Sequence, residues 1–374
     1  MAISFSANLI EEQKQQIKEK FTEFQFDSLE KNLIALGALK KVELKDDVLY
    51  VKIVLPFLWQ QGFEQLKTAL SVSLKEIAAA KEIKWQLNYN IATLKRANNH
   101  PAVKGVKNII AVSSGKGGVG KSTISVNLAL ALKVLGANVG ILDGDIYGPS
   151  IPHMLGVAEQ RPTSPDNKHI EPIQAYGIVA NSIGFLMDAN SATIWRGPMA
   201  SSALNQLLQE TLWAKNSVEL DYLIIDMPPG TGDIQLTLSQ QIPVTGALVV
   251  TTPQDIALID AIKGVSMFQR VSVPVVGIVE NMSVHICSKC GYHEPIFGTG
   301  GAFKMAEKYG VKVLSQQPLH IRLREDMDKG EPTVVSEPNN PISQSFLKLA
   351  ETVSTRLYWQ GDVIPSEILF KAVE

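Results

Sequence analysis

Nine consecutive residues, Gly115-Lys116-Gly117-Gly118-Val119-Gly120-Lys121-Ser122-Thr123, carry the chemistry most readily read from this chain. They fill every position of the G-x-x-x-x-G-K-[ST] phosphate-loop template. Glycines let successive backbone N–H groups turn inward around an anion, and a helix opening at the loop's end adds its positive pole. Lys121 supplies a point charge for β- and γ-phosphates, and the Ser122 hydroxyl is placed to ligate Mg2+. Lys116 is a further lysine that the template does not require.

Three other stretches end apolar runs in residues suited to a nucleotide. Leu142-Asp143-Gly144-Asp145 sets two carboxylates at i and i+2, where they can orient the attacking water and hold a Mg2+ shell. Leu223-Ile224-Ile225-Asp226 runs into its aspartate in the manner of a Walker-B strand. In the following Met227-Pro228-Pro229-Gly230, the prolines fix φ, and Gly230 can offer its N–H to a γ-phosphate. Asn281, after Val279-Glu280, carries a donor and an acceptor that suit the edge of an adenine ring. The Asn-Lys-x-Asp series common in guanine readers is missing, which favours ATP over GTP.

Cys287 and Cys290 are the only cysteines. A disulfide closing so short a loop stabilises little, so a metal or redox role in a reducing compartment is expected. Two thiolates make half of a tetrahedral zinc site or of an iron–sulfur site. Three completions are open on spacing alone. A two-fold axis can bring two copies together around one shared cluster. His285 or His293 can finish a zinc site within one chain, or the pair can act as a redox dithiol.

These residues need a scaffold, and the chain's pattern supplies one. Apolar strand candidates at Ile109–Ser113, Val139–Leu142, Tyr222–Asp226, Ala247–Thr251, Val275–Val279 and Val311–Leu314 alternate with helical segments at Ser122–Leu135, Ala200–Leu212, Ala257–Arg270 and Ala302–Tyr309. Continuous apolar strands between helices predict an α/β fold with a mostly parallel sheet covered by helices on both faces, and the phosphate loop makes it of P-loop NTPase type. Ligands in such sheets bind beyond the carboxyl ends of the strands. Ahead of this lies a small α+β domain over residues 1–92, with helices expected at Ile10–Leu36 and Gln61–Ala80 and a hairpin at Asp46-Asp47. Residues 93–106 read as a linker, 107–358 as the ATPase domain and 359–374 as a C-terminal tail. The apolar stripe of Pro341–Tyr358 is expected to pack on the ATPase domain.

Composition narrows the function. The 374 residues carry a formal net charge of -2 and no basic block, so no nucleic-acid partner is expected. No apolar run approaches the roughly 18–20 residues of a spanning helix, so no membrane partner is expected either. The start, Met1-Ala2-Ile3-Ser4-Phe5, lacks the layout of a signal peptide, and a cytoplasmic protein is expected.

Taken together, GKGGVGKST, DGDIYGPS, DMPPGTGD, VENMS and the Cys-x-x-Cys element resemble the Mrp/ApbC iron–sulfur cluster carrier ATPases, over about residues 105–335. The resemblance implies a homodimer controlled by ATP, with Lys121 and Ser122 on phosphate and Mg2+ and Lys116 reaching the nucleotide of the partner subunit. It also places Asp145 near the attacking water. A dimer favours the bridged completion, in which Cys287 and Cys290 of two subunits share a [4Fe–4S] cluster. Iron–sulfur apoproteins and cluster-assembly proteins are then the implied partners. The N-terminal domain resembles a small domain often fused to these ATPases. Its region Leu55-Pro56-Phe57-Leu58-Trp59-Gln60 lacks that domain's usual cysteine, which leaves it a docking or regulatory role. Two rivals remain. One is a surface-positioning ATPase of the partition type; the other is a nucleotide-binding scaffold with a structural zinc knuckle.

Overall fold

The computed structural model describes residues 3–97, 100–186, 197–214 and 217–365. The chain divides into two compact units, Met1–Ala92 with Ser354–Trp359, and Thr93–Val353 with Gln360–Glu374.

The first unit contains β1 (Ser4–Phe5), α1 (Glu11–Glu23), β2 (Leu39–Lys45), β3 (Val48–Leu55), α2 (Gln60–Ala78) and β4 (Glu82–Tyr89). Its four strands form one sheet in the order β1-β2-β3-β4. The expected hairpin joins β2 to β3, with Asp46 and Asp47 at φ 50 and 61. Such left-handed pairs match the right-handed twist of the flanking strands. The helix expected over Ile10–Leu36 stops at Glu23. Phe24 and Phe26 both pack edge-on against Trp59, with ring centroids 6.3 and 5.3 Å away. Residues two apart point to different sides of a helix but to the same side of an extended chain, so a continuing helix would separate those rings.

The second unit runs β5 (Val106–Ser114), α3 (Lys121–Val134), β6 (Val139–Asp143), α4 (Ile151–Met154), β7 (Ile173–Ala175), β8 (Ile178–Ser182), α5 (Gly197–Glu210), β9 (Leu220–Asp226), α6 (Asp233–Gln241), β10 (Gly246–Thr251) and α7 (Asp255–Arg270). It continues through β11 (Val275–Glu280), β12 (His285–Ile286), β13 (His293–Glu294), α8 (Gly301–Tyr309), β14 (Val313–Gln316), α9 (Ile321–Lys329), α10 (Thr333–Ser336) and α11 (Pro341–Gln360). Eight strands form one sheet, β14-β11-β10-β5-β9-β6-β8-β7, parallel except where β7 pairs antiparallel with β8. Every residue of β9 and β10 is buried, which explains runs of apolar residues without alternation. The pattern misses the β7–β8 pair and the polar helices α6 and α9.

Two boundaries differ from expectation. Ser354–Tyr358, assigned above to the ATPase domain, and Trp359, assigned to the tail, group with the first unit. There Tyr358 and Trp359 stack on Phe57 at 5.0 and 5.7 Å, and the Trp359 indole donates to Ser28 O at 2.9 Å. The expected linker is pinned as well: Leu94 bridges to Val363, and the Lys95 ammonium meets Asp362 at 3.1 Å. Asn98 and Asn99 of that stretch, and 366–374 of the tail, lie outside the described residues. Among the described residues no helix is long and apolar enough to cross a membrane.

Candidate functional site

Parallel strands deliver their loops to one edge of the sheet. Register pairs Asp143 of β6 with Asp226 of β9, Val112 of β5 with the same Asp226, and Thr251 of β10 with Glu280 of β11. The four loops of interest therefore leave neighbouring strand ends. A fully buried β-strand ending in a carboxylate needs a partner for that charge, and here the partners come from the phosphate loop.

The loop joins β5 to α3 as its residue pattern predicts. Gly118 and Gly120 sit at φ 80 and 81, where a side chain is strained. Gly115 needs its missing side chain for another reason: a Cβ there would lie 2.3 Å from the carbonyl carbon of Asp260 in α7. At Gly117 and Gly118 no atom lies within 4 Å of an added Cβ, so this flank of the loop is open. Val119 is buried, and Lys116 is half-buried with no ion pair among the described residues. Thr123 lies in the first turn of α3, and its carbonyl accepts from Asn127 at 3.0 Å.

Lys121, Ser122 and Ser125 converge on Asp226. The Lys121 ammonium stands 2.7 Å from Asp226 Oδ2; the lysine side chain is 6% exposed and the aspartate 0%. The Ser122 hydroxyl donates to Oδ2 and the Ser125 hydroxyl to Oδ1, each at 2.6 Å. Here the loop's own cation rests on the Walker-B carboxylate, with Lys121 beside the Ser122 hydroxyl at 3.4 Å. A hydroxyl and a carboxylate on one point are hard oxygen donors, and they fit Mg2+.

The paired aspartates take different tasks. Asp143 is buried and saturated: Oδ2 accepts from Ser150 N, Ile151 N and the Ser182 hydroxyl at 3.0 to 3.1 Å, and Oδ1 from Asp145 N at 3.1 Å. Burial, reinforced by the nearby charge of Asp226, pushes its pKa up to about 7. Asp143 thus shapes the loop 145–151 through four donors in this structure. Asp145 is half-buried, and burial raises its pKa with Asp226 adding to the rise and Lys121 opposing it. It lines a cleft of ≈ 1110 Å³ with Tyr147, Ser201, Asn205, Pro228 and Gln235.

Gly230, at φ 105, donates its N–H to Ser114 O at 2.9 Å. The donor expected on a γ-phosphate is therefore engaged by the end of β5 in this structure. Gln235 of α6 holds the same loop, donating to Pro228 O at 3.3 Å and to the Ser113 hydroxyl, while its own Oε1 has no partner. Nothing in the polar sequence of α6 singles it out.

Asn281 is buried at the end of β11. Its side-chain amide donates to Val119 O at 2.8 Å, and its Oδ1 has no partner. A buried carbonyl-type oxygen left unpaired is costly, so this acceptor suits a ligand's N–H. Its other half braces the loop, a role its residue type does not announce.

Cys287 and Cys290 occupy the turn of a small hairpin, β12–β13. Cys287 N donates to Tyr292 O at 3.0 Å, and Gly291, at φ 71, donates to Cys287 O at 2.9 Å. Backbone N–H groups of Cys290 and Lys289, with the Cys290 thiol, hydrogen-bond the Cys287 sulfur and hold its pKa below 9.0. Cys287 is half-buried and Cys290 exposed, both as free thiols. Among the described residues no group of three or more His, Cys, Asp or Glu is arranged to hold a metal. In this structure His285 and His293 are not gathered with the pair into such a group. A hairpin turn also lacks the helix N-terminus that activates a redox dithiol.

Residues 105–354 match the ParA family profile described as NUBPL iron-transfer P-loop NTPase. An iron-sulfur cluster carrier protein of Haemophilus influenzae is 71% identical over 374 residues, covering 100% of both chains. The mouse iron-sulfur cluster transfer protein NUBPL is 49% identical over 257 residues, 68% of this chain and 79% of its own. Among solved structures, a nucleotide-binding protein from Archaeoglobus fulgidus in complex with ADP superposes with a TM-score of 0.56. It is 36% identical and covers 65% of this chain and 93% of its own.

Proposed function

Because this chain belongs to the NUBPL iron-transfer P-loop NTPase family, we propose that it carries iron–sulfur clusters and hands them to apoproteins under the control of ATP. The observation that carries the reading is the hairpin with two cysteines and, among the described residues, no third ligand, borne by the same unit as a complete phosphate loop. A closed four-ligand site would retain its metal; two sulfurs per chain give it up more readily.

The triphosphate lies along Gly115–Thr123, and Lys121 exchanges Asp226 for phosphate oxygens of higher charge. Ser122 and the released Asp226 are the residues that hold Mg2+, which supplies charge neutralisation at the phosphates when bound. Asn281 Oδ1 accepts from the exocyclic amine of adenine, a donor that guanine does not present there. Asp145, ionised, aligns the attacking water in the cleft beside it, and its raised pKa makes it a better proton acceptor than an ordinary aspartate. Gly230 leaves Ser114 O when a γ-phosphate competes for its N–H.

Lys116, free of ion pairs within the described residues, crosses to the nucleotide of a second copy and closes a homodimer. Two hairpins then bring four sulfurs around one cluster, [4Fe–4S] in this proposal, although four sulfurs also suit [2Fe–2S], and the iron and sulfide count below separates the two. Cys287, whose thiol is already biased toward thiolate, is the first ligand in place. Hydrolysis is slow and is coupled to release of the cargo. Cluster-assembly proteins load the carrier and apoproteins unload it.

The test is metal analysis of anaerobically purified protein with and without the double change Cys287→Ala/Cys290→Ala. Iron and sulfide near four of each per dimer are expected in the parent, as a [4Fe–4S] cluster requires, and none in the variant. Zinc without iron or sulfide would return the protein to a scaffold with a zinc knuckle.

A further inference from the structure

We infer that Met282 is a positioning residue that links the phosphate loop to the cysteine pair inside a single chain; this rests on the function proposed above. The link begins where β11 ends. Asn281 N donates to Thr251 O at 2.7 Å, which fixes the backbone, while its side-chain amide holds Val119 O at 2.8 Å. The loop also leans on the next residue: a Cβ built on Gly120 would meet Asn281 Nδ2 at 2.3 Å and Met282 Cε at 3.7 Å. Asn281 and Met282 together thus form the seat of Gly120.

Met282 itself stands at φ 57. A methionine is held in the left-handed region only where its surroundings over-determine it, and such corners concentrate at sites that move. Beyond the corner the chain is laced to one neighbouring segment. Ser283 N and its hydroxyl both donate to Gln317 O, at 3.0 and 3.1 Å. Leu319 N donates to Val284 O at 2.8 Å, and Ile286 N returns to Leu319 O at 3.1 Å. Cys287 follows at once, bonded across the hairpin to Tyr292. The neighbouring segment is anchored in turn, since Gln317 N donates to Glu280 O at 2.9 Å and the Ser345 hydroxyl to Gln317 Oε1 at 2.7 Å. From Asn281 to Cys287 the backbone is therefore hydrogen-bonded at both ends with one strained joint, Met282, between loop and hairpin.

When the loop closes on a triphosphate, Val119 and Gly120 shift, and the Asn281–Met282 seat must follow. A stiff joint passes that shift to the sulfurs; a joint free to rotate absorbs it. Nucleotide then alters the two thiols of its own chain, apart from any effect of bringing two chains together.

The experiment uses the full-length, reduced, cluster-free protein and its Lys116→Ala variant, which the proposed function keeps monomeric, checked by sedimentation. Alkylation of Cys287 and Cys290 by iodoacetamide is timed by mass spectrometry with and without ATP–Mg2+. In the monomeric Lys116→Ala protein, ATP is expected to change the rate by at least about fivefold, the low end of an ordinary coupling between two sites. Adding Met282→Gly should bring that ratio to about one; it frees the joint and also removes the side chain beside Gly120, so its ATP affinity is compared with that of Met282→Asn, which removes the same side chain, and the two should agree within about threefold. Met282→Asn, a residue that tolerates the left-handed region, should preserve the ratio. A ratio of one in monomeric Lys116→Ala overturns the inference and leaves the dimer-based function intact. An undiminished ratio with Met282→Gly overturns it as well. If Met282→Gly fails to fold, hydrogen exchange of the Met282–Cys287 amides in Lys116→Ala takes its place: ATP–Mg2+ is expected to change their protection, and no change overturns the inference. Should dimers persist in Lys116→Ala, which counts against the trans-acting lysine, the ratio is read after dilution to the monomer, and a ratio of one there overturns the inference.

Discussion

One methyl group added at two positions of the same loop should give opposite signatures. At Gly115 an alanine Cβ would sit 2.3 Å from the carbonyl carbon, 2.4 Å from the carbonyl oxygen and 2.6 Å from Cβ of Asp260. Ordinary contacts begin near 3.4 Å, so loop and helix must part by about an ångström, against the backbone of α7 rather than a flexible side-chain tip. Overpacking of this kind costs about 1–3 kcal/mol. For a unit of this size that is a fall in Tm of roughly 2–5 °C. The same displacement misplaces the phosphate-binding groups, and an error of about 1 Å is enough to cost on the order of a hundredfold in turnover. At Gly117 an added Cβ meets nothing within 4 Å, and φ there lies outside the left-handed region. Gly117→Ala should leave stability unchanged or raise it by about 0.4–1 kcal/mol through the unfolded chain. Its methyl instead enters the open flank where phosphate is to lie, and ATP affinity should drop about tenfold, ~1.4 kcal/mol. Urea denaturation without nucleotide, paired with an ATP titration, reads both effects. Equal loss of stability in the two variants, or a neutral Gly115→Ala, would refute the assignment of which face of the loop is packed and which is open.

Asp226→Asn removes the charge on which Lys121, Ser122 and Ser125 converge, and stranding a buried lysine should cost about 3–5 kcal/mol in nucleotide-free protein. A loss below about 1 kcal/mol by urea denaturation would mean that Lys121 finds another partner. Asp145 acts ionised and its pKa is raised by burial, so ATPase activity should fall as pH falls, at a higher pH than an ordinary aspartate near 3.8 dictates. A pH profile of kcat tests this, and Asp145→Asn should abolish most turnover together with that acid limb. The Cys287 thiol is held low by N–H donors, so its iodoacetamide reaction in cluster-free protein should reach half its maximal rate below pH 9.0. A midpoint at or above that value would remove the hairpin's claim to favour thiolate.

Short-range chemistry was open to reading along the chain. The phosphate loop, the strand running into Asp226 and the Cys287–Cys290 spacing are each complete within a few residues, and their glycines, lysines and thiols have few other uses in that order. The alternation of apolar strands and helices was equally plain, because strands buried on both faces lose their polar alternation. Where elements are polar or govern no motif, as in α6 and α9, periodicity carried little, and Gln235 went unseen.

What the folded chain alone decided is how like residues diverge. Asp143 and Asp145 lie two apart, yet one is saturated by Ser150, Ile151, Ser182 and Asp145 itself, while the other opens on the cleft. Asn281 divides its amide between bracing Val119 and an empty acceptor, and Gly230 gives its N–H to Ser114. The phenylalanines after α1 leave the helix for Trp59, and the end of α11 joins the first unit through Tyr358 and Trp359. In most of these cases the deciding partner lies tens to hundreds of residues away in sequence. Which motif residues exist is a property of the string; which of their polar atoms remain free depends on burial and on neighbours that only the fold supplies.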